Sequence, residues 1–362
     1  MNLTEAENLM LRLMKFSMIN PLTFFKKEYQ TLNKIAISRK RLLENYKFLS
    51  SINKKIKVAP VIKSNAYGHG LLEVAKILDG EGAPFFCVDS LYEAYELYNA
   101  KIKTPFLIMG YTNPENLKIK KLPFSFAVFD LQTIEILNKY QPGCAVHIFM
   151  DTGMSREGIT MEDLPDFLKT LRNLNVKVEG LMSHLADRNK LQIQRFQQAQ
   201  KLVKKIGFDP KWIHLSTHYG NMARVGLKLY LQKPILKFIS HLAQVKKIKK
   251  GERVGYNGTY KIKKDTIIGV IAAGYYDGVD RGLSNKGFVK IKAEFSPIIG
   301  RVSMNMTTVD LSNINAKVGD EVVIYSDNPK DKNSIENSAK ICGKIPYEIL
   351  VHLVQGTKRV IV

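Results

Sequence analysis

The chain is poor in cysteine, tryptophan and acidic residues, and it has no long apolar run. Its three cysteines, Cys87, Cys144 and Cys342, form no even framework and have no metal-ligand spacing. Neither a disulfide scaffold nor a metal site is therefore expected, and Cys87 and Cys144, in or beside apolar runs, read as buried, reduced thiols of a cytosolic protein. No stretch of about 18 uninterrupted apolar residues occurs, which argues against a membrane span. The first 25 residues mix apolar side chains with Glu5, Glu7, Arg12 and Lys15. They lack the basic start and clean apolar block of a secretory signal. They read instead as an N-terminal extension, residues 1–32, with a helix over roughly 5–18.

The shortage of acid leaves 33 Asp and Glu against 55 Lys and Arg, a net charge of +22. Basic residues gathered in one tract would suggest nucleic acid. Here the lysines are spread along the whole chain, the pattern of solvated faces, so no nucleic-acid or membrane partner is expected. A basic surface still draws anionic cofactors and substrates.

The 362 residues, 45% of them hydrophobic, can bury sizeable cores. From residue 58, short apolar runs alternate with helical patterns. The runs are Val58–Ile62, Phe85–Val88, Phe106–Met109, Phe126–Phe129, Ala145–Met150, Val178–Met182 and Ile213–Ser216, with a weaker eighth near Arg224–Leu227. Continuous apolar runs suit strands covered on both faces of a parallel sheet. Between them, Phe196, Ala199, Val203 and Ile206 repeat at helical spacing before Gly207, and Asp130 and the Thr160/Asp163 pair stand at capping positions. This is an α/β pattern that fits a (β/α)8 TIM-type barrel over 33–240; an open doubly wound sheet has the same repeat. After about residue 240 the helical patterns give way to strand-like segments with Gly turns. These include Leu242–Ile248, Thr266–Ala272, Ile298–Val302 and Met306–Leu311, with one small helix near Ser334–Cys342. A mainly-β C-terminal domain is expected over 241–362.

In a barrel, chemistry gathers where strands end. Lys63, Arg156, His184 and Thr217 fall beyond predicted strands, and Ser216 ends one. Lys63 closes the run V-A-P-V-I-K, and desolvation at the end of an apolar strand favours an amine able to form a Schiff base. The same position also suits a lysine that merely snorkels at the barrel rim.

The loop V-I-K-S-N-A-Y-G-H-G at 61–70 resembles the pyridoxal-phosphate attachment motif of alanine racemases. The resemblance runs over roughly 33–350 through ordered matches: M-D-T-G-M-S-R-E-G at 150–158, G-L-M-S-H-L-A at 180–186 and A-R-V-G-L-K-L-Y at 223–230, then G-E-R-V-G-Y at 251–256, G-Y-Y-D-G at 274–278 and G-R-V-S-M-N at 300–305. It implies a cytoplasmic homodimer, head to tail, with active sites shared between subunits. It implies that Lys63 holds pyridoxal 5'-phosphate and serves as one base, with Tyr275 of the partner subunit as the opposing base. Racemisation takes a proton from one face of Cα and returns one to the other, so two bases suit it. A phenol holds its proton at neutral pH, and His184 resembles the histidine that contacts this tyrosine. Arg224 resembles the arginine facing the pyridine nitrogen, and Arg156 one beside the cofactor's phenolic oxygen and the substrate carboxylate. Tyr67, Thr217 and the main chain of Gly226 and Leu227 match phosphate positions. Met304 matches a backbone contact to the substrate carboxylate, and His69 reads as structural.

The activity implied is interconversion of L- and D-alanine for peptidoglycan. A related racemase acting on serine or basic amino acids is the nearest alternative, and a pyridoxal-phosphate decarboxylase or carrier a more distant one. The sequence departs from the family in four places. Phe149 stands where many members have a lysine, often carbamylated, that orients the arginine matching Arg156. Asn305 replaces an Asp, Gln355 approximately replaces a phosphate-contacting tyrosine, and the segment between Thr217 and Arg224 is short.

Overall fold

The computed structural model describes residues 31–186, 190–216 and 219–362, with Ser216 described by its backbone alone. The helix expected over 5–18 and all of Thr217 lie outside the described residues.

The apolar runs form a parallel set because both of their faces are covered. Strands β2 (Lys57–Pro60), β3 (Phe86–Val88), β4 (Phe106–Ile108), β5 (Ser125–Val128), β6 (Ala145–Phe149), β7 (Lys177–Met182) and β8 (Trp212–Ser216) follow one another with helices between. From β3 to β8 each strand pairs in parallel with the next. The weak eighth strand is Met222–Val225 (β10), two residues earlier than the sequence suggested, and it pairs in parallel with β2. A bridge between Val61 and Cys87 joins the β2 side to β3. At the other seam Asn221 N donates to Ile213 O, and Ile213 N donates to Asn221 Oδ1. The sheet is therefore a closed barrel. A two-residue strand, β9 (Tyr219–Gly220), folds back on β8.

The helices are set by the expected caps. Asp130 accepts from Thr133 N at 2.6 Å. Thr160 Oγ1 accepts from Asp163 N at 3.1 Å ahead of the helix Leu164–Leu171. The helix Lys190–Ile206 buries Phe196, Ala199 and Val203 and stops at Gly207.

The second half is antiparallel. Its spine is the 13-residue strand β11 (Leu236–Ile248), which pairs with Glu321–Tyr325 along its first part and with Thr266–Ile271 along its last. A register shift between Leu242 and Gln244 lets it pass from one set of partners to the other. This sheet also takes in β1 (Lys34–Ile37), from the span the sequence reading gave to the barrel. β1 lies antiparallel to β11 and parallel to Lys358–Ile361. The expected strand at Ile298–Val302 holds only the isolated bridge Ile298–Val309, because Gly300 takes φ +74° and turns the chain. Beside the small helix, now Ile335–Cys342, the sequence reading missed a second one at Pro346–Val351.

The barrel lumen is filled by Ala59, Val61, Phe85, Cys87, Leu107 and Met222, and a larger core runs between barrel and helices into the β layers. Each large apolar side chain buried there contributes about 1.5–3 kcal/mol. Among the described residues no helix is long and apolar enough to cross a membrane, and no group of three or more potential ligands is placed to hold a metal ion.

Candidate active site

Lys63 follows the buried Val61 and Ile62 at the end of the β2 segment, and the backbone then enters a tight left-handed turn. Ser64, Asn65, Ala66 and Tyr67 all have φ between 50 and 56°. Left-handed backbone costs about 1–2 kcal/mol per non-glycine residue, so this turn exists only where its surroundings over-determine it. They do. Glu93 Oε1 accepts from Ser64 N at 2.6 Å, Asn65 Oδ1 accepts from Leu71 N at 2.8 Å, and His69 Nδ1 lies 2.8 Å from Ala66 O. Arg359 donates to Gly68 O at 2.9 Å. Gly68 is packed so closely that a Cβ there would come within 1.9 Å of Leu350 O.

The turn aims Lys63 and Tyr67 into a cavity of about 780 Å³ at the C-terminal ends of the strands. Arg156, His184, Arg224, Gly226 and Leu227 line the same cavity, together with Asp89, Glu157 and Tyr347. Lys63 Nζ is paired with Asp89 Oδ1 at 2.8 Å, and its side chain is 37% exposed. The desolvated lysine expected from the sequence is therefore corrected: Nζ is an ion-pair donor at the rim of an open pocket. Tyr67 packs on Tyr230 and Tyr347, and burial pushes its phenol up to about 12. A Cβ on Gly226 would sit 2.5 Å from Tyr67 Oη, so glycine there lets the phenol reach the start of the next helix, Leu227–Leu231. The first N–H groups of that helix have no partner within it.

Arg224 is held from behind. One guanidinium nitrogen donates to His214 Nδ1 and, at 3.1 Å, to His214 O; the other donates to Ser183 O at 2.6 Å. Burial lowers its pKa to about 10, still charged at neutral pH. Burial and then the positive charges of Arg224, Arg156 and Lys63 lower the pKa of His184, which favours a neutral ring. The floor between them is apolar: Phe149 is buried against Ala127, Met182 and Phe129. With phenylalanine there, Arg156 finds a neighbouring side chain instead, Glu157 Oε1 at 2.9 Å. Asp151 Oδ1 pins the same loop by accepting from the N–H groups of Gly153, Met154 and Ser155.

Tyr275 and Met304 are not brought to this cavity within one chain. They stand together on the β layers, 45% and 55% exposed. Tyr275 N donates to Ser303 O and Tyr276 N to Met304 O, both at 2.9 Å. Gly274 permits that contact, since a Cβ would fall 2.2 Å from Ser303 O. Tyr276 and Met306 beside them are also exposed, giving an apolar patch of the kind that meets a partner. Asn305 lies exposed in this patch. Gln355 is exposed outside the cavity, and the aromatic residue that stands beside Tyr67 is Tyr347. Sequence reasoning had missed Asp89, Glu93, Glu157 and Tyr347. The signals for them were the S-x-x-E spacing of Ser90 and Glu93 and, for Glu157, its place inside the motif at 150–158.

Residues 37–234 match the family model for the alanine racemase N-terminal domain, and residues 235–361 match that for its C-terminal domain. The chain belongs to the alanine racemase family. It is 34% identical over 353 residues to an alanine racemase of Aquifex pyrophilus, covering 91% of this chain and 98% of that one. A second, from Carboxydothermus hydrogenoformans, is 32% identical over 364 residues, covering 90% and 98%. The crystal structure of the Bacillus anthracis alanine racemase with bound L-Ala-P superposes with a TM-score of 0.85 at 26% identity, covering 93% of this chain and 96% of that one. The family's fold, a barrel followed by a mainly-β part, is the one described above.

Proposed function

We propose that this protein is a pyridoxal-phosphate-dependent racemase that interconverts L- and D-alanine, supplying D-alanine to peptidoglycan synthesis in the cytoplasm. The observation that carries the reading is convergence. Lys63, Tyr67, Arg156, His184, Arg224 and Gly226, far apart in sequence, line one cavity in a chain of this family.

The residues fit the cofactor. Lys63 supplies an amine for covalent attachment. Tyr67, Thr217 and the main chain of Gly226 and Leu227 would hold the phosphate, with the glycine leaving the room that approach needs. When bound, the group delocalises negative charge that develops at the substrate Cα. The protein does the rest. Arg224, fixed by His214 and Ser183, presents a donor that keeps its proton, and so leaves the ring nitrogen unprotonated and the charge at Cα available for a returning proton. Arg156 and the main chain at Met304 orient the substrate carboxylate. Lys63 Nζ moves the proton on one face and Tyr275 Oη on the other, with the neutral His184 beside the phenol.

Tyr275 and Met304 reach the cavity from the partner subunit of a homodimer, which their position on an exposed apolar patch supports. In this organisation residues 1–32 are an extension, 33–240 without β1 and the start of β11 the cofactor-binding barrel, and 241–362 together with those two strand segments the domain that completes the neighbour's site. The apolar floor at Phe149 also suits a somewhat larger side chain, so a racemase of broader specificity is the second reading.

One experiment tests these points: loss of optical rotation over a panel of L-amino acids, with Lys63→Ala and Tyr275→Phe assayed singly and mixed. Alanine is expected to be the best substrate and each variant inactive. Lys63→Ala should lack the visible absorbance band, and the mixture should regain about a quarter of wild-type activity through hybrid dimers that carry both lesions in one site. A preference for serine or lysine overturns the substrate, and no recovery on mixing overturns the shared site.

A further inference from the structure

A file of polar side chains runs through the barrel core beneath Arg224. Below the guanidinium, His214 Nε2 lies 2.8 Å from His147 Nδ1. His147 Nε2 faces Glu179 Oε2 at 3.5 Å, and Ser125 Oγ donates to that same oxygen at 2.9 Å. Both histidines are fully buried. Glu179 lines a second hollow, of about 500 Å³, with Phe85, Ser125 and Trp212 at the N-terminal mouth of the barrel, the end opposite Lys63. The room for the file is built in. A Cβ on Gly180 would lie 2.2 Å from His147 Nδ1, so only glycine on β7 lets that ring stand where it does.

The donors can be arranged in one way that turns each of them toward an acceptor. A guanidinium only donates. His214 Nδ1 must therefore be a bare acceptor, which puts the ring proton on Nε2 and points it at His147. His147 Nδ1 then accepts, and its own proton sits on Nε2, facing a carboxylate that only accepts. A second proton on either ring would set an N–H against the guanidinium or against another N–H. The file thus has a cation at the pocket end, an anion at the far end and two neutral rings of fixed tautomer between.

We propose that Glu179 is a positioning residue for Arg224, fixing through His147 and His214 the acceptor that holds the guanidinium at the pocket. The inference rests on the reading of Arg224 as the residue that faces the cofactor ring. Removing the carboxylate leaves His147 Nε2–H buried without an acceptor. The remedy open to the rings is to reverse both tautomers, which turns an N–H toward Arg224.

The test is selective 15N-histidine NMR of the holoenzyme, whose seven histidines are assigned through His147→Asn and His214→Asn, together with steady-state kinetics. Wild-type rings are expected as neutral Nε2–H tautomers. In Glu179→Leu the His214 signals should move to the Nδ1–H or a mixed pattern, with kcat lowered about tenfold and KM for alanine changed much less. Glu179→Gln, whose amide oxygen still accepts, should restore the wild-type tautomers and most of kcat. If Glu179→Leu lowers the melting temperature but leaves the His214 tautomer and kcat unaltered, Glu179 is only structural and the inference fails. Should Glu179→Leu not fold, Glu179→Gln together with Ser125→Ala carries the test. That pair keeps an acceptor facing His147 and removes the hydroxyl that orients it, so a wild-type tautomer pattern with lowered kcat would equally overturn the inference. Arg224→Ala separates the two levels: without effect on the absorbance band or on turnover, it would sink the reading of the pocket itself.

Discussion

At the scale of single residues, the pocket depends as much on what is small as on what is charged. Gly226 is the clearest case, because the nearest atom to a substituted Cβ would be the phenolic oxygen of Tyr67, and Tyr67 is itself wedged between Tyr230 and Tyr347. Gly226→Ala should displace the phenol and weaken pyridoxal-phosphate retention about tenfold, about 1.4 kcal/mol, while leaving the fold intact. Spectrophotometric titration of the apoprotein with the cofactor reads this directly, and unchanged affinity would remove Tyr67 and Gly226 from the proposed phosphate site. Lys63, Tyr67 and Arg224 were legible in the sequence because each lies inside a contiguous motif whose spacing is set by one strand and one turn. Asp89 and Tyr347 were not. Asp89 meets Lys63 from 26 positions away, through the pairing of neighbouring barrel strands, and no local pattern encodes that meeting.

At the scale of elements, a single carboxylate joins the turn after Lys63 to the helix Leu91–Asn99. Glu93 Oε2 accepts from Asp89 N and Ser90 N as part of a capping box, while Oε1 accepts from Ser64 N and Asn65 N. Four backbone donors, two of them in left-handed conformation, share one side chain. Glu93→Ala should lower stability by about 2 kcal/mol and loosen the turn that carries Lys63, the proposed attachment lysine, so that activity falls further than the cap alone explains. Urea unfolding and cofactor retention on the same variant check both parts; a stability loss with full retention would mean that the turn holds itself. The cap was visible in the sequence as S-x-x-E, but its second role was not, because the turn's left-handed path has no sequence signature beyond the glycines that follow it. The barrel was legible from repeated short apolar runs. Its closure was not, since that rests on Asn221 at the seam, and neither was β1, whose four residues pair with strands some 200 and 320 positions later.

At the scale of the whole molecule, the buried histidines set the acid limit of the fold. Burial lowers the pKa of His69 to about 4, and burial also depresses His147 and His214. An unfolded histidine titrates near 6.5, so below that pH the unfolded chain binds protons that the native one refuses. Their contribution to stability is therefore complete above about pH 6.5 and is lost as pH falls from there toward 4, on the order of 3 kcal/mol for His69 alone. The depressed carboxylates, among them Asp79, Asp151 and Asp331, act in a lower window, retaining their contribution until pH falls below their ordinary range. Urea midpoints at pH 7.5, 5.5 and 4.5 should fall steeply for the wild type and less for His69→Gln. Equal slopes would place the acid sensitivity elsewhere. The pairing of β1 with Lys358–Ile361, and of Arg359 with the carbonyl of Gly68, has a consequence in time. The barrel's strands pair with near neighbours in the chain, whereas the lysine-bearing turn waits for Arg359, 291 positions on from Gly68. In refolding, the barrel should therefore form before that turn is fixed, so uptake of the cofactor, attached at Lys63 as proposed, should trail the recovery of secondary structure.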